Sequence, residues 1–592
     1  MQPLASLSAP VQRYHRGVVA CCTLLVLCVT LAHGQDIDHA ELPQPDHLSR
    51  VAQRRGTPER ATSAAELGPH YERHMMFRQV QQEQRIREWH ELLRQRSADR
   101  SMVQRASWDE TVRQAVDSTA GATDPGDKQV LLDLYESTGG QDWTSNKGWA
   151  NKTSDPCSVP WTGIYCQNNR VASIEMVYNN MAGPLPQSLG KLTALQQLVL
   201  YSNLITGELP SGLFDLPALV ELDVNNNQLT GTLPSRVTAK SLQHLVLYTN
   251  KFRGPLPTEW HAPNMQTVEL SSNSFTGPAP DGFGLMPSLK ELVVSRNNLS
   301  GPFPASWGSL HNLTQLWTFD NTLKGPLDSS WAKMRSLQNV EMDGVTGEMP
   351  SWIGDWNKLT LFILARGAIS GVLPDGICKL KRVQTLWLFL NSMSGQLPSC
   401  LGDLNSVQQL ELSDNHFSGA IPQSVGQLGQ LQYLYLSRNS LSGQLPSSLG
   451  DLNNLQIMDL SSNEIVGAIP ESFNKLAGIM VNWALCYNKL SGPLTETLQP
   501  LFKAISQFTC ALYNNPWQCP IETVVPKECD CVCDTCNSAA NRQSCSKCVA
   551  SGDGCGFCQD GESCLHGDQR GPQDYTCSKW DFGTTTNCTV EV

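Results

Sequence analysis

The segment Leu195–Pro210 reads LQQLVLYSNLITGELP and contains the pattern that decides the fold. Leu198 and Leu200 are separated by one residue, as in a short strand that buries one face. Asn203 is a short amide that can satisfy backbone groups where the chain turns off the strand. The Gly-x-x-Pro motif that begins at Gly207 then fixes the turn into a return segment.

This unit recurs along the chain. Aligning the copies on the glycine of the Gly-x-x-Pro motif gives fourteen repeats about 24 residues apart. These glycines lie at positions 183, 207, 231, 254, 277, 301, 325, 347, 371, 395, 419, 443, 467 and 492. The proline is replaced in two copies, by Asp328 and Thr495, and the asparagine in two, by Asp343 and Gly367. One unit cannot bury its leucines alone, whereas stacked neighbours bury them all, so the repeats predict a solenoid.

The unit LxxLxLxxNxLxGxLP resembles the plant-type leucine-rich repeat over residues 170–495. The resemblance implies an α/β repeat solenoid with a parallel β-sheet on its concave face, capped at both ends. Residues 128–169 resemble the family's N-terminal cap, with Cys157 and Cys166 as its expected disulfide. A cap is also required physically, because the first repeat would otherwise expose an open hydrophobic end.

Two cysteine-containing segments follow the repeats. Residues 496–530 contain NNPWQCP, with Cys510 and Cys519, and resemble the C-terminal cap of extracellular leucine-rich repeats. Residues 531–592 resemble the plexin-semaphorin-integrin module, a small disulfide-rich domain of cell-surface proteins. The cysteines that carry this second resemblance are Cys545, Cys548, Cys555, Cys558 and Cys564.

Cysteine spacing allows two interpretations near the C-terminus. The CxxC pairs would suit tetrahedral zinc, but behind a secretory signal disulfides are favoured, because the segment has few apolar residues and needs covalent cross-links. We therefore expect no metal site. Within the repeats, Cys378 and Cys400 are 22 residues apart, close to one repeat length. A solenoid stacks such positions side by side, which predicts a disulfide between neighbouring coils.

The N-terminus predicts secretion. Arg13 and Arg16 precede the apolar run VVACCTLLVLCVTLA, and the small-residue step Ala32-His33-Gly34 follows it. We interpret residues 1–34 as a cleaved signal peptide, with an uncleaved signal anchor as the alternative. The 21 cysteines also indicate an oxidising compartment. No later segment of the sequence is apolar enough to span a membrane, so we expect a secreted or cell-surface-associated protein.

Other features agree with that compartment or are neutral. Residues 35–127 are rich in Arg, Glu and Gln and are predicted to be helical or disordered. Four sequons are candidate glycosylation sites: Asn151, Asn298, Asn312 and Asn587.

Composition and motifs exclude some functions. A net charge of −12, with 17% charged residues, gives no basic surface for a phosphate backbone, so we expect no nucleic-acid partner. The sequence has no phosphate-binding glycine loop followed by lysine, no His-Glu-x-x-His and no Gly-x-Ser-x-Gly. We therefore predict no enzyme activity, no catalytic residues and no cofactor.

Residues two and four positions before the repeat asparagine, or its equivalent, should form parallel columns on the sheet. Exposed aromatic and acidic side chains in those columns resemble the composition of binding hot spots. The alternative is that the aromatic rings stack on one another and cover the sheet. The candidate ligand-binding residues are Tyr201, Tyr248, Trp317, Phe319, Glu341, Asp343, Trp387, Phe389, Glu411 and Tyr435.

The eighth unit is irregular, because only 22 residues separate Gly325 from Gly347 and no asparagine lies in the usual place. Two missing residues should shorten the loop and distort local stacking, either as a tolerated irregularity or as a specificity feature near Trp317 and Trp387. The sequence thus predicts an extracellular recognition or adhesion protein that binds a protein, peptide or glycan, with a co-receptor as a further candidate partner. The alternative function is a structural spacer in the extracellular matrix or cell wall.

Overall fold

The computed structural model describes residues 122–159, 161–480 and 482–492, with short fragments beyond residue 497. The first element is helix α1, Pro125–Ser137, which begins where the Asp124 carboxylate accepts hydrogen bonds from the backbone N–H groups of Gly126 and Asp127. A carboxylate at this place satisfies N–H groups that have no partner within the helix.

The N-terminal segment closes the first open end of the solenoid. Trp149 is fully buried, with its ring centroid 5.0 Å from that of Trp143 and 5.1 Å from that of Trp161. The disulfide Cys157–Cys166, which the resemblance implies, is present. These residues shield apolar side chains of the first coil from water.

A main sheet runs the length of the repeats, and its first two strands pair antiparallel while the pairs that follow are parallel. Its strands are Ile164–Gln167, Arg170–Glu175, Gln197–Val199, Glu221–Asp223, His244–Val246, Thr267–Glu269, Glu291–Val293, Gln315–Trp317, Asn339–Asp343, Leu361–Ala365, Thr385–Trp387, Gln409–Glu411, Tyr433–Tyr435, Ile457–Asp459, Asn482–Ala484, Cys510–Ala511 and Cys529–Asp530. The parallel pairing confirms the predicted α/β repeat solenoid. Its return segments are 3₁₀-helices and short strands, not α-helices.

Short strands and 3₁₀-helices complete each coil. The short strands are Ala182–Pro184, Leu204–Thr206, Arg236–Val237, Arg253–Pro255, Glu259–Trp260, Ser274–Pro278, Asn298–Gly301, Thr322–Leu323, Thr346–Glu348, Ala368–Ser370, Ser394–Gln396, His416–Ala420, Ser440–Ser442, Val466–Gly467 and Lys489–Leu490. The 3₁₀-helices are Gly140–Asp142, Gln187–Lys191, Ser211–Asp215, Asp281–Leu285, Ala305–Ser309, Ser329–Lys333, Ser351–Asp355, Asp375–Lys379, Ser399–Asp403, Gln423–Gln427, Ser447–Asp451 and Glu471–Leu476. A proline before most of these helices is pre-set for the start of a return segment.

The repeat asparagines form an internal ladder of hydrogen bonds between coils. Asn203 donates through Nδ2 to the backbone oxygens of Met176 (2.7 Å) and Leu200 (3.0 Å), and its Oδ1 accepts from the backbone N–H groups of Asn179 and Met181. Because each side chain satisfies groups of two coils, the ladder fixes the stacking of neighbours. Equivalent bonds are made by Asn227, Asn250, Asn273, Asn297, Asn321, Asn391, Asn415, Asn439, Asn463 and Asn488.

The ladder is interrupted in the eighth and ninth units, where the sequence is irregular. Counting back from Gly347 made Asp343 the equivalent of the asparagine, but this register is wrong. Asp343 pairs with Ala365 on the main sheet, and the turn that follows is made at Gly344, which has a φ of 74°. The two missing residues therefore include the asparagine itself, and buried Val345 takes up the shortened turn.

The main-sheet strands on either side of the shortened turn are also longer than their neighbours. Asn339–Asp343 and Leu361–Ala365 pair over five residues, whereas the neighbouring strand Thr385–Trp387 has three. Gly367 fits here because a Cβ at this position would lie 2.4 Å from the backbone oxygen of Val345. The predicted distortion of the stacking thus consists of two longer strands in the main sheet and a close contact between Gly367 and Val345 in the turns that follow these strands.

Several predictions fall outside the described residues. These are the signal peptide (residues 1–34), residues 35–121 of the predicted helical or disordered segment, the sequon at Asn587, and the side chains of Cys510, Cys519, Cys545, Cys548, Cys555, Cys558 and Cys564. Backbone strands Cys555–Cys558 and Ser563–Asp568 pair antiparallel within the last predicted module. No helix in the described part of the chain has the length and apolarity needed to cross a membrane.

Candidate ligand-binding site

The strand register brings the predicted residues into two columns on the outer face of the main sheet. Column one contains, strand by strand, Trp317, Glu341, Ile363, Trp387, Glu411 and Tyr435. Column two lies two residues further along each coil and contains Phe319, Asp343, Ala365 and Phe389. Adjacent strands are about 4.8 Å apart, so Trp317 and Trp387 are separated by roughly 14 Å across three strand spacings.

The aromatic side chains in the middle of these columns are largely buried, whereas the sequence analysis expected them to be exposed. Trp317, Phe319 and Phe389 are 8%, 6% and 3% exposed, and Trp387 is half-buried. They pack with Ile363 and neighbouring apolar residues in a second apolar cluster, separate from the interior of the solenoid. The alternative of mutual packing over the sheet therefore applies to this part of the face, because large rings on adjacent strands remove each other from water.

This cluster leaves a depression at its centre, which we call the central pocket. It is open to solvent, has room for little more than one water-sized group, and is lined by Phe319, Glu341, Asp343, Ile363, Ala365, Arg366, Trp387 and Phe389. The side chain of Ala365 is small at a column position that holds phenylalanine at 319 and 389. A wide sheet with a small residue between two rings is the direct cause of the pocket.

Charged groups are concentrated on one side of the central pocket. The Asp343 carboxylate accepts a hydrogen bond of 3.1 Å from the backbone N–H of Asp320. Asp320 in turn lies 3.3 Å from the Arg366 guanidinium and 3.6 Å from that of Arg296. Glu341 is buried within the pocket wall. Two pocket carboxylates thus face a group in which two arginines share one aspartate.

Burial raises the pKa of Asp343 to about 6, although the hydrogen bond from Asp320 and the positive charge of Arg366 act in the opposite direction. Removing the carboxylate from water penalises its ionised form, and this effect exceeds the other two. Asp343 is therefore a group whose charge changes in the mildly acidic range. Arg296 also lies 5.8 Å from the centre of the Phe319 ring, a favourable cation–π distance.

The other predicted site residues lie elsewhere along the face. Tyr201 packs edge-on against Tyr178, with ring centroids 5.5 Å apart, and Tyr248 is half-buried. Glu411 follows Trp387 in column one and accepts a hydrogen bond from the backbone N–H of Ser413 (3.0 Å). Tyr435 follows Glu411 and is buried. The ten candidates therefore form an extended face with one central pocket.

Sequence analysis missed four residues of this site: Ile363, Ala365, Arg366 and Asp320. Ala365 could have been found from its column position, since it is the small member between two phenylalanines. Arg366 could not have been found in this way, because the ninth unit has Gly367 in place of the asparagine on which the repeats are aligned. Asp320 lies outside both columns and reaches Asp343 through its backbone.

Covalent features near the site lie away from the sheet face. The predicted disulfide Cys378–Cys400 is present and joins neighbouring return segments, with Cα atoms 5.8 Å apart. Asn151, Asn298 and Asn312 are exposed, as glycosylation of a folded chain requires. Their glycosylation stays a prediction.

Comparison with protein families supports the fold assignment. Residues 124–167 match the leucine-rich repeat N-terminal domain, and residues 405–465, 218–238 and 288–310 match leucine-rich repeats. A probable leucine-rich repeat receptor-like protein kinase of Arabidopsis thaliana is 38% identical over 85 residues, which are 12% of this chain and 9% of that protein. The curated relatives are thus matched over only about a tenth of their length.

Solved structures extend the similarity over most of the repeats. The plant peptide hormone receptor RGFR1 in complex with RGF2 has a TM-score of 0.56 and 27% identity, over 60% of this chain and 57% of that chain. The Arabidopsis receptor kinase HAESA, in complex with the peptide hormone IDA and the co-receptor SERK1, has a TM-score of 0.57 and 25% identity, over 68% and 72%.

The molecule is therefore a leucine-rich repeat solenoid of the kind found in receptor-like ectodomains. More particularly, it is similar to a plant peptide hormone receptor and to an Arabidopsis receptor kinase solved in complex with a peptide hormone. The similarity lies in the repeats and their N-terminal cap, and the plexin-semaphorin-integrin-like module has no counterpart among the matched segments.

Proposed function

We propose that this chain is a secreted or cell-surface recognition protein that binds an extracellular peptide across the outer face of its main sheet. The contact area extends from Trp317 to Tyr435, with Trp387 and Phe389 at its centre. Glycans and folded proteins are the other ligand classes that such a face accommodates. A co-receptor is a further partner, by analogy with the co-receptor present in the HAESA complex.

The observation that carries this proposal is the central pocket. An inert spacer requires only that its coils stack, and regular repeats achieve this with the asparagine ladder. Here two residues are absent from one coil, two strands of the sheet are lengthened, and aromatic and acidic side chains line a small depression that is open to solvent. A concave site that combines apolar walls with a few polar groups is the usual form of a binding site.

The similarity to peptide-hormone receptors supports a peptide as the ligand. Peptides in extended conformation can follow successive strands of a solenoid and present alternate side chains to it. The ring of Trp387, which is half-buried, also offers such a ligand rigid contact area at low entropic cost.

A binding screen with matched variants tests the proposal. The secreted full-length chain is screened against arrays of extracellular peptides and glycans, and the strongest ligand is titrated against two variants. Truncating aromatic hot spots costs about 2 kcal/mol or more, so Trp387→Ala combined with Phe389→Ala should weaken binding at least roughly thirtyfold. Lys381→Ala changes an exposed residue on a return segment and should leave affinity unchanged.

Thermal unfolding of each variant separates loss of binding from loss of structure. Equal affinity of both variants and the unchanged protein, with folding intact, would contradict a site on the sheet face. Absence of any bound peptide or glycan would instead favour the spacer function.

A further inference from the structure

We propose that residues 85–105 of this chain, an arginine-rich segment outside the described residues, lie on the outer face of the main sheet when no other ligand is bound. The inference goes beyond the proposed function, because it concerns an occupant that the chain itself supplies and needs no external peptide. An external ligand at the same face would have to displace this segment.

The outer face of the main sheet carries charge of one sign. It consists of columns one and two and of the position two residues before column one, on the strands from Arg170–Glu175 to Asn482–Ala484. Nine side chains at these positions are acidic, among them Asp223, Glu269 and Glu291, and none is lysine or arginine. We call this surface the acidic face. Like charges so close together favour a cationic occupant.

Part of the acidic face is shielded from water. Glu221 and Asp223 point outward from one strand, yet they are 9% and 0% exposed. Carboxylates removed from water are stable when cations pair with them. His244, beside Glu221, is the single base of the acidic face, and the arginines one position beyond column two already pair with Asp320 and Asp414. Further cations must come from another part of the chain or from a partner.

Two buried polar atoms of the acidic face need partners of opposite kinds. The Gln197 side chain is 4% exposed and donates through Nε2 to the Glu221 carboxylate (3.3 Å), but its Oε1 accepts no hydrogen bond from the residues that the structure describes. The buried indole N–H of Trp317 likewise finds no acceptor among them. Such orphaned groups are uncommon in native proteins. A segment with both arginines and carboxylates can donate to Gln197 and accept from Trp317.

Residues 85–105 have the composition that this face requires. They read RIREWHELLRQRSADRSMVQR, with six arginines and three acidic residues. Ile86, Trp89 and Leu93 have helical spacing and would form one apolar stripe. That stripe matches the second apolar cluster in the middle of the face, which includes Phe389, while the arginines match the acids around it.

The C-terminal part of the chain is a poorer match. Residues 497–592 contain eleven acidic residues and six lysines or arginines. Because their net charge has the same sign as the acidic face, the two should repel each other. Charge complementarity therefore selects residues 85–105 as the occupant.

The segment is near enough in the chain to reach the face. Sixteen residues, 106–121, join it to the first described residue, and Asp124 then donates its backbone N–H to the backbone oxygen of Asn169 (3.0 Å), at the end of the main sheet. Sixteen extended residues span about 53 Å, whereas the strand of Trp317 lies six strand spacings, or about 29 Å, from that of Glu175. As a helix, the 21 residues would be about 32 Å long and would cover six strand spacings.

The first test is carbodiimide cross-linking of the full-length secreted chain, which joins a lysine amine to a carboxylate in contact with it. Residues 35–127 contain no lysine, so Arg94→Lys introduces a single side-chain amine into the segment. We expect an intramolecular cross-link from this amine to one of the face acids between Glu269 and Glu411, identified by mass spectrometry of the digested protein. Arg113→Lys, in the connecting residues, is the matched control and should give at least about tenfold less of this product.

Charge reversal adds a second readout. Exposed ion pairs are weak one at a time, so four arginines are changed together, either to glutamate or, as the control that keeps the charge, to lysine. Hydroxyl-radical oxidation of half-buried Trp387 should become at least about fivefold faster in the glutamate variant and stay unchanged in the lysine variant. Trp352, half-buried on a return segment, should oxidise equally in both. The four positions are Arg85, Arg87, Arg94 and Arg96.

Three outcomes would overturn the inference, with thermal unfolding as the control for folding. The first is the absence of an intramolecular cross-link to the acidic face in Arg94→Lys. The second is a cross-link that forms only between molecules, which would assign the face to a second copy of the chain. The third is equal oxidation of Trp387 in the glutamate and lysine variants. A screen that finds no external peptide would contradict the proposed function and leave this inference standing.

Discussion

Two regions of the molecule share the same leucine framework but differ in how their coils are built. The regular coils extend from Asn391 to Asn463, and the irregular coils extend from Asn339 to Gly367. In the regular coils, the asparagine ladder satisfies the turn, and column two holds small serines such as Ser413 and Ser437, whose hydroxyls lie 3.1 Å apart. In the irregular coils, the ladder is absent, the strands are longer, and column two holds Asp343 and Ala365. Regular coils are thus held together by the asparagine ladder, and we propose that the irregular coils form the recognition site.

The largest expected effect comes from breaking the ladder in a regular coil. Asn415 bonds to the backbone oxygens of Leu388, Leu412 and Ser413 and accepts from the backbone N–H of Met393. Asn415→Ala leaves several buried groups unsatisfied at about 1–3 kcal/mol each, so the free energy of unfolding should fall by more than about 3 kcal/mol. Chemical denaturation followed by circular dichroism measures it.

The matched change in the irregular region is Val345→Ala, since this residue takes up the shortened turn without side-chain hydrogen bonds. Loss of two buried methyl groups should cost about 1–2 kcal/mol. If Val345→Ala proved as damaging as Asn415→Ala, the two regions would not differ in how their coils are held together.

A second prediction concerns the disulfide that follows the interrupted ladder. Cys378–Cys400 joins return segments of neighbouring coils and closes a loop of 22 residues. Replacing both cysteines with serine should lower the free energy of unfolding by about 3 kcal/mol, because the unfolded chain regains the entropy of that loop. Hydrogen exchange should then increase first in residues 361–400, whereas uniform exchange along the repeats would contradict a local stabilising role.

Much of this fold could be predicted because the repeat is a periodic physical pattern. Leu198 and Leu200 specify a strand, Asn203 a turn, and stacking follows. The predicted register was wrong at Asp343. Counting back from Gly347 to the asparagine position assumes a loop of constant length, and the two missing residues belong to that loop. The sequence left open whether Trp317 packs against its neighbours or is exposed, because a column gives positions but not the directions in which rings lean.

A smaller effect is expected from the pH dependence of stability at Asp343. Its pKa is raised to about 6 from an ordinary value near 3.8, so the fold favours the protonated carboxyl. The corresponding stability is complete below about pH 4 and is lost as the pH rises through about 6. Relative to Asp343→Asn, the unchanged protein should therefore lose about 2 kcal/mol of unfolding free energy between pH 4 and pH 7.

Thermal unfolding of both proteins across this pH range measures the difference directly. Parallel curves for the two proteins would mean that Asp343 titrates as an ordinary exposed carboxyl, and the burial attributed to the pocket would be wrong.

The most direct test of the central claim fills the pocket without disturbing the strands. Ala365→Phe introduces the side chain that column two already has at 319 and 389, and Ser461→Phe makes the same kind of change at column two in a regular coil outside the proposed contact area. Affinity for the strongest peptide from the binding screen is measured for both variants, with thermal unfolding as the control for folding. The account predicts at least tenfold weaker binding for Ala365→Phe and unchanged binding for Ser461→Phe; equal affinity of both folded variants and the unchanged protein would contradict it.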